Sequence, residues 1–81
     1  MRTDEILARL QVVFDGVFLD EVAVTPGLTA ADVPEWDSLL HVSLILAIER
    51  EFKIRFRIGE VEALQNVGEL AALIAKRAGG A

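Results

Sequence analysis

The 81 residues carry 13 acidic and 8 basic side chains, for a formal net charge of -5, with 53% hydrophobic residues and no cysteine. That length makes a single domain, residues 1–81, close to the lower limit for folding on one core, and the apolar fraction argues against intrinsic disorder. The lack of cysteine excludes disulfides and cysteine-ligated metal, and the acidic balance argues against nucleic acid, whose phosphate backbone needs a basic face.

Met1-Arg2-Thr3-Asp4-Glu5 runs into a mixed segment with no apolar stretch of the secretory kind. The longest uncharged run, which holds Leu39 to Ile48, is too short to span a bilayer, so a cytoplasmic protein with no membrane partner is expected, and a monomer with it. Thr3 is placed to cap a first helix, with Asp4 and Glu5 in its first turn. Ile6, Leu10, Val13, Phe14 and Val17 then recur at three- and four-residue steps and mark its buried stripe. Thr25-Pro26-Gly27 and Pro34 are breakers, so Leu19 to Glu35 reads as a long ordered loop pinned by Val22, Val24, Leu28 and Val33. That loop delivers Trp36-Asp37-Ser38 to the start of a second helix, expected from about Ser38 to Phe52.

Projected at about 100 degrees per residue, Val42, Leu44, Ile45, Ile48 and Phe52 fall on one side of this helix. Leu39, Leu40, Ser43, Leu46, Ala47 and Arg50 fall on the other. Both sides are apolar, so one is assigned to the core and the second either to further core or to a docking patch beside Ser38. Lys53 to Ile58 alternates charged and apolar residues and reads as an extended connector whose Ile54 and Phe56 plug the core. A short helical turn is expected over Ile58 to Leu64. Asn66-Val67-Gly68-Glu69 has the form of a capping box, and Val67, Leu70, Ala71 and Ile74 mark a last amphipathic helix ending near Lys76-Arg77.

A serine that opens a helix sits where unpaired backbone N–H groups and the helix dipole favour an anion, which suits a covalent phosphate. The plain alternative for Ser38 is an N-cap. Asp37, Ser38 and His41 also invite a hydrolase reading, since residues three apart on a helix are neighbours. Against it, adjacent Asp37 and Ser38 point about 100 degrees apart, and no Gly-x-Ser-x-Gly turn or evident oxyanion hole accompanies them. The carboxylate pairs Asp4/Glu5, Asp20/Glu21, Glu49/Glu51 and Glu60/Glu62 lack the spacing of a metal or acid/base site and read as solvated or capping charges. Trp36 is expected to bury against the loop, its indole N–H finding a partner. A helical interaction module that is never modified is the rival reading from another class.

Trp36-Asp37-Ser38-Leu39, followed by Val42, Leu44-Ile45, Ala47-Ile48-Glu49, Glu51-Phe52, Ile54 and Phe56, and then by Leu64, Val67-Gly68-Glu69-Leu70 and Ile74, resembles the acyl carrier proteins. The lead-in Thr29-Ala30-Ala31-Asp32-Val33 is similar to that of small stand-alone carriers outside primary fatty acid synthesis. The resemblance implies an all-α fold, a small four-helix bundle with a long loop between helices 1 and 2 and a short third helix. It implies no catalysis by the chain itself. Ser38 would receive 4'-phosphopantetheine from coenzyme A through a separate phosphopantetheinyl transferase, with Asp37 helping that enzyme bind its metal. The cargo would ride as a thioester, loaded and removed by acyl-handling enzymes that contact Leu39. The same resemblance covers aminoacyl and peptidyl carriers. Where many fatty-acid-synthesis carriers place acidic residues on the docking side, this chain has Leu40, Ser43 and Arg50. Docking by negative charge alone is therefore not implied, and dedicated partners in a specialised pathway are.

Overall fold

The computed structural model describes residues 2–57 and 59–79. Helix α1, Thr3–Val17, buries Ile6, Leu10, Val13 and Phe14, the stripe expected from their spacing, and leaves Val17 half-buried. Its cap is Arg2, not Thr3; the helix starts one residue early, so the threonine hydroxyl is out of capping register. Gly16 lies inside the helix, and Phe18 ends it by turning extended while its N–H still reaches the Phe14 carbonyl at 2.9 Å.

The connection from α1 is long but well tied. Phe18, Val22 and Val33 are buried, with Val24 and Leu28 packed against the same core. The Gln11 amide brackets the strand-like stretch, donating to the Val22 carbonyl at 2.7 Å and accepting from the Val24 N–H at 3.0 Å. The Glu35 carboxylate accepts from the N–H groups of Leu19 and Asp20 at 2.9 and 3.1 Å, closing the segment on itself. One turn of 3-10 helix, Ala30–Asp32, is held by the Asp32 carboxylate, which accepts from the Thr29 N–H and hydroxyl. A backbone this irregular persists because its polar groups have partners.

Helix α2, Ser38–Phe52, buries Leu44, Ile48 and Phe52, flanked by half-buried Leu40, Ile45 and Ala47. Val42 corrects the expected phase: it is 57% exposed and belongs to the outer face. The helix ends at Lys53 in the left-handed region, φ 56° and ψ 47°, with the Glu49 carbonyl accepting from the N–H groups of both Lys53 and Ile54. The Glu49 carboxylate reaches on to the Phe56 N–H at 2.8 Å, fixing the extended connector so that Ile54 and Phe56 pack against the core. Arg9 lies over the Phe52 ring, 5.3 Å from its centroid, and its Nε pairs with Glu51 at 3.1 Å, so Glu51 is not simply solvated.

In place of the expected short third helix, residues 59–63 form successive turns, with N–H to carbonyl bonds from Glu60 to Arg57 and from Leu64 to Val61; Ile58 lies outside the described residues. Val61 from this stretch is buried. Helix α3, Val67–Gly79, then buries Val67, Leu70, Ala71 and Ile74. Asn66 caps it as expected, accepting from the Glu69 N–H at 2.9 Å, while the Glu69 carboxylate reaches back one residue further, to the Gln65 N–H at 3.1 Å. Two further amides at this helix start bond to the long loop, Val67 to the Leu28 carbonyl at 2.9 Å and Gly68 to that of Pro26 at 2.8 Å. The approach is close enough that a Cβ on Gly68 would stand 3.0 Å from the Pro26 oxygen. Among the described residues the fold is thus all-α, three α-helices with α1 packed on both others, and no strand occurs.

Two outcomes follow for stability. Ile48 is fully buried, so Ile48→Ala should cost about 2 to 5 kcal/mol in urea unfolding, while the exposed Val42→Ala should change little. Glu60 accepts the Arg57 N–H at 2.9 Å and pairs with Arg77; the first contact and then the second hold its carboxyl below the ordinary glutamate value, against an opposing push from burial. A carboxyl lowered in the folded state contributes in full above its unfolded pKa and loses that contribution as pH falls through the lowered value. The stability difference between the parent and Glu60→Gln should therefore be flat near neutrality and shrink below about pH 4.3, read from unfolding curves across that range.

Candidate functional site

The start of α2 brings together Asp37, Ser38 and His41, the side chains singled out in the sequence. Asp37 is extended, and its Oδ1 accepts from the Leu40 N–H at 2.9 Å, while its carbonyl takes the His41 N–H at 2.8 Å. Asp37 is therefore the N-cap and Ser38 the first helical residue, which overturns the plain-cap reading of the serine. The Ser38 side chain is exposed, its hydroxyl is not spent on the cap, and it stands in the turn where unpaired N–H groups and the helix dipole favour an oxyanion.

Trp36 holds this turn in place. Its ring meets Phe14 edge-on, centroids 5.5 Å apart at 82°, and packs against Phe18 at 5.7 Å. Its backbone N–H is taken by the Val33 carbonyl at 3.0 Å, and its indole N–H donates to His41 Nδ1 at 3.2 Å, with the two rings nearly parallel. Accepting at Nδ1 leaves Nε2 as the donor nitrogen of the neutral imidazole. The hydrolase constellation is not assembled, because His41 Nδ1, the atom a triad carboxylate would hold, accepts from the tryptophan indole, while Asp37 Oδ1 caps the helix.

Beside Ser38 runs an open groove of about 670 Å³ with Val42, Val61 and Leu64 on its apolar wall and Asp37 and Glu62 among its polar residues. It shares Ala30, Trp36, His41, Val61 and Leu64 with a smaller, more enclosed cavity of about 120 Å³ that reaches Leu44, Ile45 and Leu70 in the core. Sequence spacing pointed to neither His41 as the tryptophan's partner nor Val61 and Glu62 as walls, because these contacts join the helix to turns whose path periodicity does not encode.

Of the residues expected to meet partners, Leu39 is 75% exposed and Leu46 50% exposed, and Ser43 and Arg50 are exposed with them. Steps of four, three and four place these four residues on one helix face, which Val42 widens. Leu40 and Ala47 depart from the expectation: both are half-buried and packed against the core. Among the described residues no cluster of His, Cys, Asp or Glu suits a metal ion, and no helix is long and apolar enough to cross a membrane.

Residues 36–74 match the family described as the phosphopantetheine attachment site. The whole fold is similar to the solution structure of a holo acyl carrier protein from Geobacter metallireducens, at 37% sequence identity and a TM-score of 0.75, over 96% of this chain and 86% of that one. The exposed hydroxyl, the helix start behind it and the groove alongside fit a phosphate-linked arm.

The division of labour between the two side chains is directly measurable. Asp37→Ala should lose about 1 kcal/mol of stability with the cap, whereas Ser38→Ala should stay within about 0.5 kcal/mol of the parent, both read from urea midpoints. Equal losses would mean that the serine shares the capping role.

Proposed function

Because the chain belongs to the acyl carrier protein family, we propose that its 4'-phosphopantetheine is esterified to Ser38 and that the protein carries acyl intermediates through a specialised biosynthetic pathway. The observation that carries this reading is the exposed serine hydroxyl left free by the Asp37 cap. The likeness to a holo acyl carrier protein supports acyl over aminoacyl cargo.

When bound, the arm supplies a terminal thiol that holds the acyl group as a thioester. The chain's own residues anchor, orient and release. Ser38 would supply the oxygen that bonds phosphorus as the pyrophosphate of coenzyme A breaks, its proton passing to the transferase and adenosine bisphosphate leaving. The helix dipole then favours the phosphodiester by about 0.3 to 1 kcal/mol at this exposed position. Asp37 lends a carboxylate next to the reacting hydroxyl for the transferase's metal, a use compatible with Oδ1 also accepting the Leu40 N–H. Val42, Val61 and Leu64 offer the arm an apolar wall.

Leu39, Ser43, Leu46 and Arg50 form the face presented to the transferase and to the enzymes that load and remove cargo, with Leu40 and Ala47 supporting it from below. A tethered cargo reaches a docked enzyme at high effective concentration, so a small and quickly released contact suffices. The carrier works as a cytoplasmic monomer of one domain.

Incubation with coenzyme A, magnesium and a promiscuous phosphopantetheinyl transferase should add the mass of one phosphopantetheine to the parent and none to Ser38→Ala. No gain with several such enzymes, or the same gain in the variant, would remove the attachment.

A further inference from the structure

Four of the eight lysines and arginines of this acidic chain fall within residues 50–57. Three of them, Arg50, Lys53 and Arg55, rim an open groove of about 560 Å³ at the C-terminal end of α2. Leu46 and Ile54 give the groove an apolar lining. Glu49 also lines it, but its carboxylate is turned onto the Phe56 N–H at 2.8 Å and stands alone against the three cations. The nearby Glu51 is drawn off by Arg9. No ion pair neutralises Arg50, Lys53 or Arg55 among the described residues.

A cation near a helix C-terminus has an ordinary use, since it complements the dipole. That use accounts for Arg50 in the last turn and for Lys53 at the cap. Arg55 stands beyond the helix in the extended connector, and the dipole has no call on it. Nor does it explain why Leu46, apolar and 50% exposed, lines the same groove.

We propose that this groove receives an acidic surface of the partner enzyme, one that presents an apolar side chain flanked by carboxylates. The proposal rests on the docking face described above and gives it a polarity. Ser38 and Arg50 lie twelve residues apart on α2, about 18 Å along the axis, with the carboxylate of Asp37 beside one and the cationic groove at the other. A partner whose acidic patch seats in the groove meets the serine with a part of its surface about 18 Å away, so the pairing of charges fixes the direction in which it lies along the helix. A protein suits this site better than a membrane. The net charge of -5 repels an extended anionic lipid surface, whereas a local acidic patch meets only the basic end.

The test is titration of the isotope-labelled full chain, followed by backbone amide shifts, with three additions: a blocked Glu-Glu-Leu-Glu-Asp peptide, its Gln-Gln-Leu-Gln-Asn counterpart, and phosphatidylglycerol/phosphatidylcholine vesicles. The acidic peptide should give saturable shifts concentrated in residues 46–57 that weaken as salt rises from about 20 to 200 mM. The uncharged peptide should leave those residues in place. Arg50→Gln combined with Arg55→Gln, both exposed, should lower the melting midpoint by no more than about 8 °C, the loss of one cation at the helix end, and bind the acidic peptide at least about tenfold more weakly. Lys53 is left alone because its left-handed backbone ties it to the helix end. Absent or scattered shifts, equal binding of the uncharged peptide, undiminished binding by the variant, or preferential binding of the vesicles would each overturn the proposal. Mass gain at Ser38 is read separately on the parent. Loss of that gain sinks the carrier reading and leaves the groove result standing, and the converse also holds.

Discussion

The contact from the Leu40 N–H to Asp37 Oδ1 decides what Ser38 is available to do. A helix start must satisfy its unpaired amides, and serine is among the side chains most often used for that. Here the aspartate one residue earlier takes the task, so the serine enters the first turn with its hydroxyl uncommitted. Trp36 makes the arrangement rigid. One residue before the cap, its ring is wedged against Phe14 and Phe18 and its indole N–H is spent on His41, so the chain can enter the helix along one path. The attachment proposed at Ser38 calls for such a fixed base, because any latitude at the root of an arm is amplified at its tip.

The same economy of polar groups holds the long connection between α1 and α2. Without disulfides, a chain of 81 residues has little core to spare for seventeen residues of irregular backbone. The structure meets this by letting helix and loop satisfy one another. Amides at the start of α3 need acceptors and find the Leu28 and Pro26 carbonyls, while the loop's own N–H groups find Gln11 and Glu35. Gly68 belongs to this joint, since its lack of a side chain is what lets the Pro26 carbonyl approach. Ala30 on the loop and Val61 and Leu64 on the later turns thereby become walls of the groove beside Ser38.

How much of this was legible in the sequence depended on how much contrast each segment carried. The stripes of α1 and α3 stood out because polar residues mark their outer faces, and the Asn66 cap was readable as a motif. Helix α2 was different. With apolar residues on nearly every side, a projection of its sequence has two phases of similar merit, and the chain adopts the one that exposes Val42 and half-buries Leu40 and Ala47. Only packing breaks that tie. The short third helix was expected on resemblance, and the chain forms turns there among the described residues; Gly59, at φ 81°, adopts a backbone that interrupts a helix. The role of Asp37 as cap was hidden for a simpler reason: Asp-Ser offers two adjacent capping side chains, and local sequence cannot say which one takes the amide.

Val42 in its corrected place changes the character of the face proposed for docking. Leu39, Val42 and Leu46 together make an apolar strip running from the serine toward the basic end of α2. An apolar strip alone gives affinity without orientation, since hydrophobic contact is non-directional. Charge supplies what it lacks. Two carboxylates, Asp37 and Glu62, flank the groove beside Ser38, and cations cluster at the other end, so the strip has a head and a tail. Exposed charges of this kind set the geometry of encounter and are weakened by salt. For a carrier that must be caught, used and let go at every step, that balance serves better than tight binding, because the orientation is gained on approach and the release remains fast.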